Sequence, residues 1–490
     1  MSTTTEAAAA NEPTYIFGPR DRRALLLGMR LPQLLLVALG GGVLLLGLLG
    51  TLVPFPLAAA IALLTLAVAF LPVQSRPMVD WVRPIGNYLF GRFTGEASYL
   101  GGPWALHSPD GGKRLALPGA AGPMQVRAFT IQHREIAVIR QGNRWVGVVQ
   151  VAAPAYPLAD RATQHERVSA WGSLLAQLGQ EGSRIASVQW LTRTIPDSGR
   201  GLEDWWQRHG QTGSPAAESY RLLIDGAGPA ATRHETFVAV AVDERRCRRA
   251  LRAAGGGPEG MASVLATELS WLEAGLRRSD VEVLGWLNSE DLARLVRTQY
   301  DPMALTAIDK RRGAGVDLAA AGPMAAHAAF THYRTDSGFH ATYWVASWPR
   351  MQVEAAWLYP LLVLGGVRRT VSLTAEPVPP SQSFREVRNA KVQKLTEDAQ
   401  RERLGQVDSA LDDEAHAALL RRERELVAGH IEYRFTGYVT VSATTENELE
   451  DACAQVEQAA VRSVLEVRRV YGEQDQAFAA AALPLTRGVR

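Results

Sequence analysis

The chain has 490 residues and a formal net charge of only +2, so it is long enough for a membrane segment followed by two or three soluble domains. A near-neutral chain exerts little electrostatic attraction on phosphates, which argues against direct nucleic-acid binding. Its two cysteines, Cys247 and Cys453, do not suggest a disulfide framework and fit a reducing cytoplasm.

The first distinctive feature along the chain is an uncharged run over residues 34–73, interrupted by Pro54 and Pro56. A bilayer crossing needs roughly twenty apolar residues, and residues 34–52 and 57–73 supply two such stretches. The prolines disfavour one continuous helix, and a signal peptide would have a single, shorter apolar region. We therefore predict a transmembrane helical hairpin over residues 31–76, preceded by a tail and an interfacial segment over residues 1–30.

Arginines flank the predicted hairpin on both sides, whereas the loop between its helices is uncharged. They are Arg20, Arg22, Arg23 and Arg30 before the hairpin, and Arg76 and Arg83 after it. The positive-inside rule then places both termini and the large soluble part in the cytoplasm of a bacterial inner membrane, next to membrane lipid. Trp81 lies near the inner end of the second span, where an aromatic side chain suits the membrane interface.

The rest of the chain alternates short β-branched runs with amphipathic helices. Residues 77–123, rich in Gly and Pro towards their end, predict a linker, and residues 124–380 predict an α+β region. Two β-α-β units are predicted at residues 145–151, 159–178 and 184–195, and at residues 236–242, 259–276 and 281–287. A third lies in a C-terminal segment over residues 430–490, with strands at 431–443 and 464–471 and a helix capped by Thr445 and Glu448. The fold class is therefore α+β with repeated split, ferredoxin-like units.

Between the second and third units the sequence becomes helical and heavily charged. Residues 381–429 predict an arm of two antiparallel helices that break near residues 408–413. The arm carries Arg421, Arg422 and Arg424. Such a charged face is typical of a solvated surface, and also of a helical pair that binds a partner.

The motifs of common catalytic and cofactor sites are missing. Lys113 has Arg114 where a Walker A motif needs a hydroxyl, and the glycines of residues 255–260 fit G-x-G-x-x-G but do not follow a strand directly. His332 and His340 flank a turn at residues 336–338, where we expect both to be exposed. We predict no catalytic, cofactor-binding or metal-binding residue, and a protein that is not an enzyme.

Both ends of the chain resemble an actinobacterial integral-membrane family from conjugative, type IV secretion-like clusters. The similar segments are residues 15–23 (YIFGPRDRR), 71–73 (LPV), 79–81 (VDW), 437–443 (GYVTVSA), 469–474 (RVYGEQ) and 476–485 (QAFAAAALPL). The resemblance implies a PrgI-like hairpin joined to a domain like the non-catalytic N-terminal domain of the conjugation ATPase. It also implies that the P-loop ATPase is a separate protein, for which we expect the charged arm and the end of the chain, with Tyr471 and Phe478, to be the binding surfaces.

Three functions follow as competing hypotheses. The first is a non-catalytic, membrane-anchored structural subunit of a conjugative channel, homo-oligomeric and in contact with other channel subunits and with a conjugation ATPase supplied in trans. The second is a type VII secretion membrane subunit similar to EccE, whose neighbours would include an FtsK-like ATPase. The third is a membrane-tethered enzyme, which would need a pocket with convergent polar groups.

Overall fold

The computed structural model describes residues 31–50, 54–73, 76–101, 114–152, 156–196, 200–210, 213–227, 232–310, 315–403 and 410–488. Four of the arginines predicted to set the membrane topology, Arg20, Arg22, Arg23 and Arg30, lie outside these residues, and so does the N-terminal tail. The side chain of Arg76 is also outside the description.

Two apolar helices, α1 (Leu31–Leu48) and α2 (Phe55–Phe70), open the described chain and pack against each other antiparallel. Their contact is close because glycine leaves room: a Cβ at Gly40 would lie 2.3 Å from Thr65 Oγ1, and one at Gly47 would lie 2.3 Å from Ala58 Cβ. Among the described residues, α1 is the helix long and apolar enough to cross a membrane by length and composition, while α2 is shorter at 16 residues. Pro54 directly precedes α2 and Pro56 lies in its first turn, where a missing N–H costs no helical hydrogen bond.

The region predicted to be a linker contains regular structure. A two-strand ladder of β1 (Pro72–Val73) and β2 (Arg76–Pro77) leads into α3 (Val79–Thr94), followed by β3 (Ser98–Leu100) and β4 (Arg114–Leu115). The glycines that suggested a loop have a local role instead, because Gly95 ends α3 in the left-handed conformation, at φ 78°. The linker prediction is thus corrected for α3 and for β3, which pairs with a later strand of the main sheet.

A first split β-α-β unit forms one half of the body of the molecule, which follows α3. It is preceded by the hairpin strands β5 (Met124–Ile131) and β6 (Arg134–Gln141), and comprises β7 (Arg144–Ala152), α4 (Arg161–Leu178), β8 (Ile185–Pro196), a helical insertion α5 (Arg200–His209) and α6 (Pro215–Ala227), β9 (Thr232–Asp243), α7 (Arg248–Ala253), α8 (Gly257–Arg278) and β10 (Glu282–Trp286). The strand order β10-β7-β9-β8 places α4 and α8 on one face. Leu178, Leu265 and Leu272 pack there against Val149 and Val240.

A second unit of the same connectivity forms the other half. After α9 (Ser289–Tyr300), α10 (Ala304–Lys310), β11 (Ala325–Ala328) and β12 (Tyr333–Thr335), it comprises β13 (Gly338–Ser347), α11 (Tyr359–Leu362), β14 (Arg369–Val378), an insertion α12 (Pro380–Arg403) and α13 (Ala410–Val427), β15 (Glu432–Ala443), α14 (Glu446–Arg462) and β16 (Glu466–Arg469). Its order is β16-β13-β15-β14, with α11 as a single turn where the first unit has α4. The capping of α14 is confirmed, because Thr445 accepts a hydrogen bond from the Glu448 amide.

The two units form one antiparallel sheet, which has 14 strands among the described residues. They join where β8 pairs antiparallel with β14, from Arg369 opposite Thr194 to Ala375 opposite Val188. The C-terminal segment is therefore not separate from residues 124–380, since β15 lies between β13 and β14. Because β8 and β14 are antiparallel, the helical insertions α5–α6 and α12–α13 leave the sheet at opposite ends.

The face opposite α4 and α8 is covered by α9 and by α15 (Gln474–Ala482). The last helix crosses the joint between the units. The Gln189 amide on β8 donates to Ser372 Oγ on β14 at 2.9 Å and to the Ala480 and Leu483 carbonyls at 3.1 Å each. The end of the chain is thus part of the core that unites both halves.

Candidate partner-binding surfaces

The α12–α13 arm is attached to the body by a network of charged side chains. Arg422 on α13 hydrogen-bonds to Glu432 on β15 at 2.9 Å, and it also approaches Glu386 on α12 at 3.5 Å. Arg434 contacts the same Glu386 at 2.6 Å. Burial raises the pKa of the Glu432 carboxyl, but hydrogen bonds led by that from Arg422 outweigh it, so the pKa lies below the ordinary value. This network fixes the base of the arm against the sheet.

The three arginines predicted to bind a partner therefore have different surroundings. Arg422 belongs to the network at the base and is half-buried. Arg421 and Arg424 are exposed, and the Arg424 guanidinium hydrogen-bonds only loosely to its own helix, to the Leu420 carbonyl at 3.4 Å. The exposed pair is free to contact another protein, whereas Arg422 holds the arm in place.

Exposed apolar side chains accompany these charges on the arm. On α12, 60% of Val392 and 69% of Leu395 are exposed, and 73% of Val427 is exposed at the end of α13. Apolar residues ringed by charge are the usual composition of a protein-docking surface.

The α5–α6 insertion presents a second such surface, which we did not predict from the sequence. The exposed side chains are Trp205, Tyr220, Leu222 and Leu223. Inside the insertion, the Trp206 and Tyr220 rings lie 5.1 Å apart and link the two helices. The signal in the sequence is the spacing of Leu202, Trp205 and Trp206 at i, i+3 and i+4 among charged residues, which is typical of an amphipathic helix.

One of the two predicted partner contacts at the end of the chain is corrected. Phe478 is only 1% exposed and packs against Tyr300, Tyr333 and His340, with ring centroids 5.1, 5.4 and 4.7 Å away. It is a core residue that no partner can reach. Tyr471 is half-buried and contacts Trp81 of the same chain, with ring centroids 5.4 Å apart, and its role in partner binding stays a prediction.

His340 is buried, contrary to our expectation of an exposed histidine beside a turn. Its Nδ1 lies 2.8 Å from Ser442 Oγ and its Nε2 lies 2.7 Å from Thr335 Oγ1. Burial lowers the pKa of His340 to about 3, and it raises the pKa of Tyr300 well above the usual range. Both side chains stay neutral near pH 7 and are enclosed by α15. His332 on the other side of the turn is half-buried.

The two thiols are equally inaccessible. Cys247 and Cys453 are both buried and free of disulfides. Burial raises the pKa of Cys247 to about 11, despite the arginines beside it, so the reactive thiolate is not populated at neutral pH. Within the described residues, no group of three or more His, Cys, Asp or Glu side chains is placed to hold a metal ion.

Two further residues that were predicted to set the membrane topology, Trp81 and Arg83, lie on α3. Arg83 is exposed. Trp81 is half-buried and packs on Tyr471 of the body, and its predicted position in the membrane interface stays a prediction. The side chains that α3 does leave exposed are apolar, as described below.

Residues 230–345 match the model of the EccE family, which is described as a type VII ESX secretion system translocon. The match covers 116 of the 490 residues, from β9 to most of β13, and so includes the second half of the first unit and the start of the second. Among curated proteins, no sequence matches this chain. Over these 116 residues the chain is similar to EccE, which favours the type VII hypothesis over the conjugation hypothesis.

Proposed function

We propose that the chain is a non-catalytic, membrane-anchored structural subunit of a type VII-like secretion translocon. The observation that carries this proposal is the similarity of residues 230–345 to EccE. That segment lies within the body that directly follows the apolar pair α1–α2. The conjugation hypothesis rests on the short motifs at the ends of the chain and is the second candidate.

In this proposal α1 and α2 cross the membrane as a two-pass anchor, and both termini and the body lie in the cytoplasm. The outward side chains support it, because leucines such as Leu35, Leu45 and Leu63 are 60–73% exposed in the structure, which is the surface a lipid bilayer covers. Helix α2 has 16 residues, or about 24 Å at 1.5 Å per residue, a length that modest local thinning of the bilayer accommodates.

The proposed role is scaffolding rather than catalysis. The strongly shifted groups described above, His340, Tyr300 and Cys247, are enclosed in the core, where a substrate has no access. Two helical insertions with apolar and charged side chains are accessible instead. They are the surfaces on which we expect other membrane subunits, a second copy of the chain or a motor ATPase to bind.

The test is recovery of the tagged full chain, solubilised in detergent from its native cell, with mass spectrometry of the co-purified proteins. We expect an FtsK-like ATPase and other type VII membrane components. A conjugation-type P-loop ATPase would instead support the second candidate. Recovery of the chain alone would contradict a scaffold role.

The arm is tested in the same experiment by charge reversal. Arg421→Glu together with Arg424→Glu should lower the recovery of the ATPase several-fold, because both side chains are exposed on the proposed surface. Arg462→Glu is the matched control, since Arg462 is also exposed near the end of a helix but lies on α14. Equal recovery from both variants would exclude the arm.

A further inference from the structure

Helix α3 rests on the soluble body by one face only. On that face Trp81 packs against Tyr471, and Tyr88 against Phe330, each with ring centroids 5.4 Å apart. The Asn87 amide also donates to Glu473 Oε1 at 2.9 Å. These contacts fix the rotation of the helix about its own axis, so the direction of its other side chains is defined.

The opposite face is apolar and uncovered. Val82, Leu89 and Phe93 are 60%, 47% and 89% exposed. Met78, Ile85 and Phe90 are exposed as well. At about 100° per residue these six side chains lie within a continuous arc of roughly 140°, turned away from the arc that contacts the body.

Arginines border this apolar arc on both sides. By the same helical geometry, Arg83 lies beyond one edge and Arg92 beyond the other, and both are exposed. An apolar arc with a cationic side chain at each edge is the pattern of a helix lying in a membrane surface with anionic lipids. A protein partner does not require positive charge on both flanks.

The position of α3 in the chain also indicates that the apolar arc contacts lipid. Helix α2 ends at Phe70 and α3 begins at Val79, and the two helices are in contact. The turn between them is closed by a hydrogen bond from the Met78 amide to the Leu71 carbonyl at 2.9 Å. If α2 spans the bilayer, α3 begins at the membrane surface. The closed turn between the two helices is too short to carry α3 away from that surface.

We propose that α3 is an interfacial helix, lying in the cytoplasmic surface of an anionic bilayer with its apolar arc among the lipids. The body rests on its other face, so α3 holds the sheet at a fixed height and rotation against the membrane. This inference rests on the proposed function for the membrane insertion of α1 and α2, and it adds a third membrane element that does not span.

The test places one nitroxide label at a time on the full chain, reconstituted in vesicles of phosphatidylcholine with phosphatidylglycerol. Labels at Leu89→Cys and Phe93→Cys report on the arc, one at Leu45→Cys on α1, and one at Val461→Cys on an exposed site of α14. The native cysteines are buried and should remain unlabelled. The measured quantity is the ratio of collisions with oxygen to collisions with a water-soluble nickel chelate, which rises with depth in lipid.

We expect the ratio at positions 89 and 93 to exceed that at 461 several-fold and to approach that at 45. Charge reversal at Arg83 and Arg92 together should lower it at position 93. A high ratio at 45 with ratios at 89 and 93 equal to that at 461 would overturn the interfacial helix and leave the arc to a protein partner. A low ratio at 45 would overturn the membrane anchor itself.

Discussion

Arg369, 2% exposed, ties the single-turn helix α11 to strand β14 through its guanidinium group. It donates hydrogen bonds to four main-chain carbonyls at or just after the end of α11, those of Leu361, Leu362, Leu364 and Val367. Carbonyls at the end of a helix lack partners within the helix, so a buried end needs donors from elsewhere. One arginine supplies them here.

The first prediction is therefore that Arg369→Met destabilises the body by about 2–4 kcal/mol, because buried carbonyls lose their donors. The free energy of unfolding would be measured by urea titration of the detergent-solubilised full chain, followed by circular dichroism. Arg462→Met, at an exposed arginine, should change it by no more than about 0.5 kcal/mol. Equal effects of the two substitutions would show that water replaces the Arg369 guanidinium as the hydrogen-bond donor to these carbonyls.

The second prediction concerns His340 and pH. Its pKa of about 3 in the folded chain lies below the ordinary value of 6.5. The unfolded chain thus binds the additional proton between these values, and stability falls as the pH drops through that window. From pH 6.5 to pH 5 the wild type should lose about 1.5 kcal/mol more than His340→Gln, which keeps a neutral hydrogen-bonding side chain.

Urea titrations at the two pH values measure this difference directly. His165→Gln, at an exposed histidine, serves as the control and should follow the wild type. Parallel pH dependences in all three proteins would mean that His340 accepts a proton without unfolding.

The surroundings of single residues were the least predictable part of the chain. His340 follows a polar turn, and that local sequence favours exposure. Its burial depends on Ser442 and Phe478, which are more than 100 residues away in the chain. Arg421 and Arg422 are likewise indistinguishable in sequence, and only the position of Glu432 on the neighbouring strand separates the exposed from the paired side chain.

At the scale of elements, periodicity predicted most of the structure. The alternation over residues 431–443 corresponds to β15 (Glu432–Ala443), and the two helices expected over residues 381–429 correspond to α12 and α13. The break expected near residues 408–413 is placed too late, because α13 already begins at Ala410. Helix α3 was missed because Pro84 and its glycines disfavour a helix locally. Its docking through Trp81 and Tyr88 compensates for that propensity, and such tertiary contacts leave no periodic signal.

The third prediction tests the pairing of α1 with α2. A Cβ at Gly40 would lie 3.4 Å from Thr65 Cβ, close to the separation of about 3.5–4.5 Å in disulfides. Gly40→Cys with Thr65→Cys should therefore cross-link under mild oxidation in membranes and protect both thiols from a maleimide-polyethylene glycol reagent.

Gly42→Cys with Thr65→Cys is the matched control, because a Cβ at Gly42 has no neighbour within 4 Å. It should remain open to the reagent. Equal protection of both pairs would indicate a different packing of the two helices.

At the scale of the whole molecule, sequence patterns do not predict the order of the strands in the sheet. Three β-α-β units were predicted, whereas the structure has two six-element units joined edge to edge through β8 and β14. The second unit was hidden because its first helix is reduced to α11 and because the charged arm separates β14 from β15. Each unit carries a helical insertion at the same place, between its second and third strands.

In this arrangement the helices of the insertion α12–α13 and helix α15 contribute differently to stability, and the last prediction tests that difference. The insertion α12–α13 joins paired strand ends, Val378 opposite Glu432, that a turn of about four residues can connect. Helix α15 instead covers the joint, where Gln189 depends on its carbonyls and Phe478 fills the core. Replacing residues 380–430 by a short glycine-containing turn should leave a body that unfolds cooperatively, whereas removing residues 474–490 should abolish cooperative unfolding and expose the sheet to protease.

Both deletions are made in the full chain and compared by thermal unfolding in detergent and by limited proteolysis. Deletion of the insertion also removes the proposed partner surface while it leaves the sheet and α15 in place. If the deleted protein is folded but no longer co-purifies with other subunits, binding is located on the arm. A protein that stays folded without residues 474–490 would contradict the role of α15 at the joint between the two units. The polar side chains on β8 and β14 would then be stable without α15 packed over them. Loss of folding on removal of the arm would show that the charged network at its base, through Glu386 and Arg422, is part of the core rather than an attachment.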